Sequence, residues 1–392
     1  LKLSKIKTNI LGLLLAFVLV LTSIGCSSKT ASSENAANAT NSSTASKTAV
    51  YTDMLGRKVT LTTNVKKVAI LRTMDIYVMS AILGKELDSK LIAVGQSFKQ
   101  TDIDGYKKYS EVYHNLDKMT NVGSIYDDAI SLETMVKLNP DIIIVDKQFY
   151  GYSCVNKMIE VGLPVVFTDD NSDPFYGTGK SMKMLGKMLG KEKHVDEMVD
   201  YANKKTDSVL KTVAKLEASN VKKPKLYFEC GNVSPSEIGV TRGDTSNGWG
   251  YIWQKLGADN IGVGNKNNSM NPEQVLTSNP DLIVIGGANW NPDGNIMRLG
   301  FFATQKSASE HLDLYTKRAG WSDLNAIKTG RLSAIHFNIT VHPFAFAGIE
   351  EMAKILYPDE FANLNPEKDM QEFFKKYMPI KDSGTFWANW SK

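Results

Sequence analysis

Cysteine and histidine are scarce: three and five of 392 residues. No Cys-x-x-Cys, His-Glu-x-x-His or Gly-x-Ser-x-Gly run occurs, so the usual redox, zinc-hydrolase and serine-hydrolase constellations are missing. None of the five histidines forms a pair at helical or finger spacing, which leaves no sequence signature of a bare-metal site. Charge of one sign is also lacking. The formal net charge is +4, and removal of an N-terminal segment carrying Lys2, Lys5 and Lys7 and no acid takes it to +1. Such a balance offers no field for nucleic acid, and no basic-aromatic array is present. An enzyme is therefore not expected, nor a nucleic-acid partner. "GTGKS" (Gly177 to Ser181) lacks the first glycine of a phosphate-binding loop, since Pro174 stands there, and reads as a helix start.

What is present begins with an export signal. Lys2, Lys5 and Lys7 precede an apolar run from Ile10 to Leu21, too short for a comfortable membrane span, and "LTSIGC" follows. This resembles a bacterial lipoprotein signal over residues 1–25, with Cys26 as the lipidated N-terminus; Ser23 stands where leucine is usual. Residues 26–49 are nearly all Ser, Ala, Asn and Thr, the composition of a disordered tether. The expected location is extracytoplasmic, anchored to the membrane by lipid. Of the remaining cysteines, Cys154 and Cys230 fall in different expected lobes and read as buried thiols.

From Tyr51 onward the pattern alternates strand and helix. At 42% hydrophobic residues and this length, two α/β lobes are expected: residues 50–170 and 223–392. Residues 171–222 between them read as helical. No Gly or Pro occurs from Lys191 to Lys223, so one long helix is expected there, with Val195, Met198, Val199, Ala202, Val209, Val213 and Leu216 on its packed face. Two stretches repeat without a gap: "SLETMVKLNPDIIIVDK" from Ser131 and "NPEQVLTSNPDLIVIGG" from Asn271. Glu133 falls on Glu273, Asn139 on Asn279, Pro140 on Pro280 and Asp141 on Asp281. Each reads as a short helix, a proline stop, and a strand buried on both faces. An acid in a first helical turn is common and stabilises by a few tenths of a kcal/mol, about 0.3 or more. A pair of them in equivalent places suggests instead a two-fold partner.

The order of "DMLGRKVTL", "VAIL", "E…NPDIIIV", "GLPVVF", "MLGKMLGKE", "LGADNIG", "E…NPDLIVIG", "AIKTGRLSAI" and "MAKILYPDEF" is similar to that in substrate-binding lipoproteins of bacterial ABC importers. The class in question binds iron-siderophore complexes, haem and cobalamin, and the resemblance runs from about Tyr51 to Tyr357. It implies two Rossmann-like α/β lobes joined by a single long helix, a ligand cleft between them, limited closure, and a monomer without a cofactor. It also implies that Glu133 and Glu273 contact arginines of the two permease subunits. The implied ligand is an iron-siderophore or related chelate, with haem, cobalamin or a nickel chelate as alternatives; an adhesion or signalling lipoprotein is the rival outside transport.

Ligands of open α/β sheets sit beyond the carboxyl ends of strands. That rule selects Arg72, Gln96, Phe98, Tyr126, Lys147 and Tyr150 in the first lobe, and Arg242, Trp249, Trp290 and His342 in the second. The cations could meet an anionic chelate and the aromatics a planar one. Each also has a plainer reading: Arg72 as a solvated helix start, Trp249 and Trp253 as core. His342, in "VHPF", is the best single candidate for an axial haem or metal ligand.

Overall fold

This computed structural model describes residues 47–265, 268–291 and 294–391. The expected signal segment, Cys26 and the tether up to residue 46 lie outside the described residues. The first element is an antiparallel hairpin, β1 (Thr48–Thr52) and β2 (Lys58–Thr62). Its turn forms because Asp53 Oδ1 accepts from the Leu55 and Arg57 amides at 3.0 and 2.9 Å.

The first lobe is built on β3 (Val68–Ile70), β4 (Leu91–Val94), β5 (Ile142–Asp146) and β6 (Val165–Thr168). They pair in parallel in the order β4-β3-β5-β6. The second lobe uses β7 (Lys225–Cys230), β8 (Asp259–Asn260), β9 (Leu282–Gly287), β10 (Leu332–His336) and β11 (Trp387–Asn389). Its order is β11-β10-β9-β7-β8, with β11 alone antiparallel. Leaving β11 aside, the two sheets share one connectivity: the first strand pairs the second and third, and the third pairs the fourth. β5 and β9, the repeated strands, hold the same third place. Both are buried along their whole length, which explains their unbroken apolar runs.

The repeat has one structure written twice. Helices Leu132–Leu138 and Pro272–Ser278 are capped by Ser131 and Asn271, whose side chains accept from the Thr134 and Glu273 amides. They end at Asn139 (φ 48°) and Asn279 (φ 43°), both in the left-handed region that closes a helix, one residue before the prolines expected to stop them. The aspartates also act. Asp141 Oδ2 accepts from the Lys66 and Lys67 amides at 2.7 and 2.9 Å, and Asp281 Oδ2 from the Lys225 amide at 2.9 Å. The lysine side chains return to the helix ends: Lys67 Nζ to the Leu138 carbonyl at 3.3 Å, Lys225 Nζ to that of Ser278 at 3.0 Å. Each repeat therefore ties its helix to the start of its lobe's first strand.

The lobes are linked by helix Glu192–Ala218, 27 residues long, about 40 Å at 1.5 Å per residue. Val195, Met198, Val199, Val209 and Val213 are buried on one face, with Ala202 and Leu216 half-buried beside them. "GTGKS" opens the preceding helix, Gly177–Met188. One hydrophobic cluster runs from Ile70 and Val166 through Met198 and Val209 to Phe228 and Ile335. A core continuous through the linker opposes free tumbling of the lobes. A polar contact supports it: Asp104 of the first lobe accepts from Asn289 Nδ2 at 2.7 Å and pairs with Arg298 at 3.2 Å in the second. Cys154 and Cys230 are both buried and unbridged.

Candidate functional site

A cleft of about 920 Å³ opens where the strands of both sheets end. The residue after β3 and its neighbour, Leu71 and Arg72, turn out of the sheet. Asp146 is the last residue of β5 and Lys147 the next, and Phe337 and Asn338 follow β10. Arg72, Tyr126, Asp146, Lys147 and Tyr150 form one wall, together with Leu55 from the hairpin turn. Arg242, Asp244, Trp249, Phe337 and Asn338 form the other.

Arg72 is only 2% exposed, so it is not the solvated helix start that the sequence allowed. Its guanidinium donates to Asp75 Oδ1 at 3.1 Å, pairs with Asp146 Oδ2 at 3.1 Å, and is bonded to Asp170. All three aspartates are buried. Burial pushes Asp75 up to about 7 and Asp170 up to about 6, against the opposing pull of Arg72. Burial also works against the Arg72 charge, but the carboxylates of Asp75, Asp170 and Asp146 outweigh it and hold its pKa well above the usual value. Both terminal nitrogens of Arg72 are thus engaged by carboxyls, and its buried Nε has no partner among the described residues.

The rim differs. Lys147 pairs with Asp169 at 2.7 Å. Tyr126 and Tyr150 are 46% and 61% exposed, each resting edge-on against an inner ring, Phe149 and Phe167. Across the cleft, Trp249 stacks on Phe228 with centroids 4.7 Å apart and meets Phe337 at 5.7 Å. The Arg242 guanidinium lies 5.4 Å over the Phe337 ring. Trp249 is both core and cleft wall: it is mostly buried yet closes the site.

The remaining expected residues sit elsewhere. Trp290 is half-buried and not among the lining residues, its ring edge-on to Phe337 at 5.6 Å. Gln96 is exposed and does not line the cleft. Phe98 is buried against Tyr106 and Tyr109, because the segment after β4 folds inward as a short helix. His342 is also buried, its ring 4.0 Å from Tyr77 and 4.9 Å from Phe344. Burial first, then His336 and Arg72, drive its pKa well below the usual value, and it offers no nitrogen to the cleft. Among the described residues no group of three or more His, Cys, Asp or Glu is arranged to hold a metal.

Leu55, Asp146, Asp170, Asp244 and Phe337 were missed by the sequence reading. Asp146 and Asp170 were within reach of it: both close strand runs, "DIIIVD" and "VVFTDD", at the carboxyl ends where a cleft is expected. Glu133 and Glu273 are exposed, each the second residue of its helix. A helix feeding a parallel strand starts at the edge where strands end, so both glutamates lie on the cleft-bearing edges of their lobes.

The profile of a family described as periplasmic binding protein matches residues 81–338. An uncharacterised ABC transporter substrate-binding lipoprotein of Bacillus subtilis (strain 168), YvrC, is 27% identical over 255 residues, covering 62% of this chain and 70% of the relative. The crystal structure of the TroA-like periplasmic binding protein FepB from Veillonella parvula superposes with a TM-score of 0.81 at 32% identity, covering 87% of this chain and 99% of that one. The molybdate-binding protein MolA of Haemophilus influenzae shares the fold, with a TM-score of 0.63 at 17% identity over 86% of this chain and 99% of MolA.

Proposed function

Because the chain belongs to the periplasmic binding protein family, we propose that it is the solute-binding lipoprotein of an ABC importer that captures an iron-siderophore or related metal chelate between its lobes. The observation that carries the ligand class is the cleft itself. At about 920 Å³ it is far larger than a bare ion needs and falls in the range of sites for drug-sized ligands. Its walls give aromatic surface on both sides, from Tyr126 and Tyr150 on one lobe and Trp249 and Phe337 on the other, which suits a broad chelate. Lys147 and Arg242 stand among these rings as polar contacts. Glu133 and Glu273, matched by the fold's internal repeat, would dock on the two permease subunits. Cys26 would carry the lipid that keeps the protein near its partner.

Tryptophan fluorescence tests the reading, since Trp249 lines the cleft. Purified protein titrated with a panel of ferric siderophores, haem and cobalamin is expected to show saturable quenching by at least one. Silence across the whole panel would remove the chelate reading.

A further inference from the structure

The cations of the cleft are outnumbered by the acids around them. Among the described residues three cations line it: Arg72, Lys147 and Arg242. Asp146 and Asp244 line it with them, and Asp75, Asp170 and Asp169 stand directly against Arg72 and Lys147. The imbalance is sharpest at Arg72, where one guanidinium is divided among three buried carboxyls. Thr168 donates to Asp75 at 3.4 Å and the Gln148 amide to Asp146 Oδ1 at 3.0 Å. Among the described residues Asp75 Oδ2, Asp170 Oδ1 and Asp146 Oδ2 are buried without a hydrogen bond, the last ion-paired to Arg72, against one unpartnered donor of the cluster, Arg72 Nε. A group with acceptors in excess of donors calls for positive charge or a proton, never for another anion. The raised carboxyl pKa values of Asp75 and Asp170 agree with that excess.

Arg72 Nε has no partner among the described residues but is buried, and an anionic ligand could gain the two terminal nitrogens only by drawing them off their carboxylates, which would leave buried negative charge uncompensated. Lys147 is similarly engaged at the rim. We propose, building on the chelate-binding reading above, that this cleft selects metal chelates without net negative charge, such as neutral and cationic ferric hydroxamates, over anionic ones such as ferric tris-catecholates and haem. The acidic floor acts as the discriminating element and the aromatic walls supply attraction that is indifferent to charge.

One chelate core in three charge states isolates the effect. A ferric trihydroxamate with a free terminal ammonium is cationic, its N-acetylated form neutral and its N-succinylated form anionic. Titrated into the full chain and followed by tryptophan quenching, the anionic form is expected to bind at least about tenfold more weakly than the cationic one, with the neutral form between them or level with the cation. Raised salt should narrow that gap. Asp169→Asn, which frees Lys147 and leaves the three carboxyls around Arg72 in place, should narrow it too. Equal affinity of the three forms, or tighter binding of the anionic one, would overturn the proposal. So would quenching by a ferric tris-catecholate or haem with none by the hydroxamates, and in that case the chelate-binding reading would stand. Silence of all these compounds would overturn the proposal, and silence of cobalamin and the other siderophores of the panel as well would overturn the chelate-binding reading.

Discussion

Replacing Arg72 with methionine tests the physical basis of the acidic floor. Methionine approximates the arginine stem in volume but removes the one cation that, among the described residues, is bonded to Asp75, Asp146 and Asp170. Taking one partner from a buried ion pair costs about 3–5 kcal/mol, because the other charge stays buried without compensation. All four side chains are at most 2% exposed, so solvent screening gives little relief. The cost should depend on pH, with a sign that follows from the carboxyls. Asp75 and Asp170 already titrate at about 7 and 6 in the folded protein, against an ordinary value of 3.8. Where a folded-state carboxyl holds its proton longer than the unfolded one, stability falls as pH rises from the unfolded pKa to the folded pKa. Without Arg72 both values rise further, which extends that loss to higher pH at about 1.4 kcal/mol per pKa unit. Urea unfolding followed by circular dichroism should therefore show a loss of about 3–5 kcal/mol at pH 8, shrinking by about half or more at pH 5. Adding Asp170→Asn to Arg72→Met should recover about 1–2 kcal/mol at pH 8. A loss below about 1 kcal/mol, or one that is flat between pH 5 and pH 8, would refute the reasoning.

Asn139→Ala should cost about 1 kcal/mol in thermal unfolding, whereas Asn139→Gly should stay within about 0.5 kcal/mol of the parent, since glycine enters the left-handed region freely; at Asn279, whose Oδ1 also accepts from the Asn325 amide at 2.8 Å, glycine should cost about 1 kcal/mol as well. Equal losses for alanine and glycine at Asn139 would mean that the side chain, not the backbone conformation, matters there. Charge reversal at Glu133 and Glu273 is expected to abolish uptake by cells while quenching titrations keep the same affinity; weakened ligand binding would instead put these residues in the pocket. Burial holds His336 neutral down to about pH 3, against an ordinary 6.5, so its contribution to stability is lost as pH falls from 6.5 towards 3. His336→Gln should flatten the acid limb of a plot of melting temperature against pH, and an unchanged limb would assign acid sensitivity to other groups.

The parts of this fold that were legible are those written locally. "DIIIV" and "DLIVIG" announce buried strands because every residue in them faces packing. The uninterrupted stretch after Lys191 announces the long helix because its buried valines keep helical spacing. The Asn-Pro-Asp triplet was legible as punctuation but was read at the wrong residue. Proline looks like the stop, yet asparagine makes the left-handed turn, and aspartate binds the start of a strand more than 50 residues away in sequence. The sequence reading found the cleft wall at Arg72, Lys147 and Tyr150, where the chain leaves the sheet, and at Tyr126 ahead of the first repeat helix. It failed to foresee the inward turns that carry Phe98 and His342 into the core, because both follow the same kind of strand end and only tertiary packing separates the two outcomes.

Charge was the least legible property, for a reason that bears directly on the ligand. Read along the chain, Arg72 is a cation at a strand end, an invitation to an anionic chelate. In space it meets Asp75 three residues on, Asp146 at the end of β5, and Asp170 ninety-eight residues away beyond β6. Asp75 opens the helix Asp75–Leu83 after β3, Asp146 ends β5 and Asp170 follows β6, and parallel pairing of β3, β5 and β6 is what gathers them. A parallel sheet places all its strand ends on one edge, so any polar residues there are brought together whatever their separation in sequence. The sign of the site is then the sum over that edge, which no single loop displays. Here the sum runs acidic, and the residue that looked most like an anion receptor is the one least able to act as one.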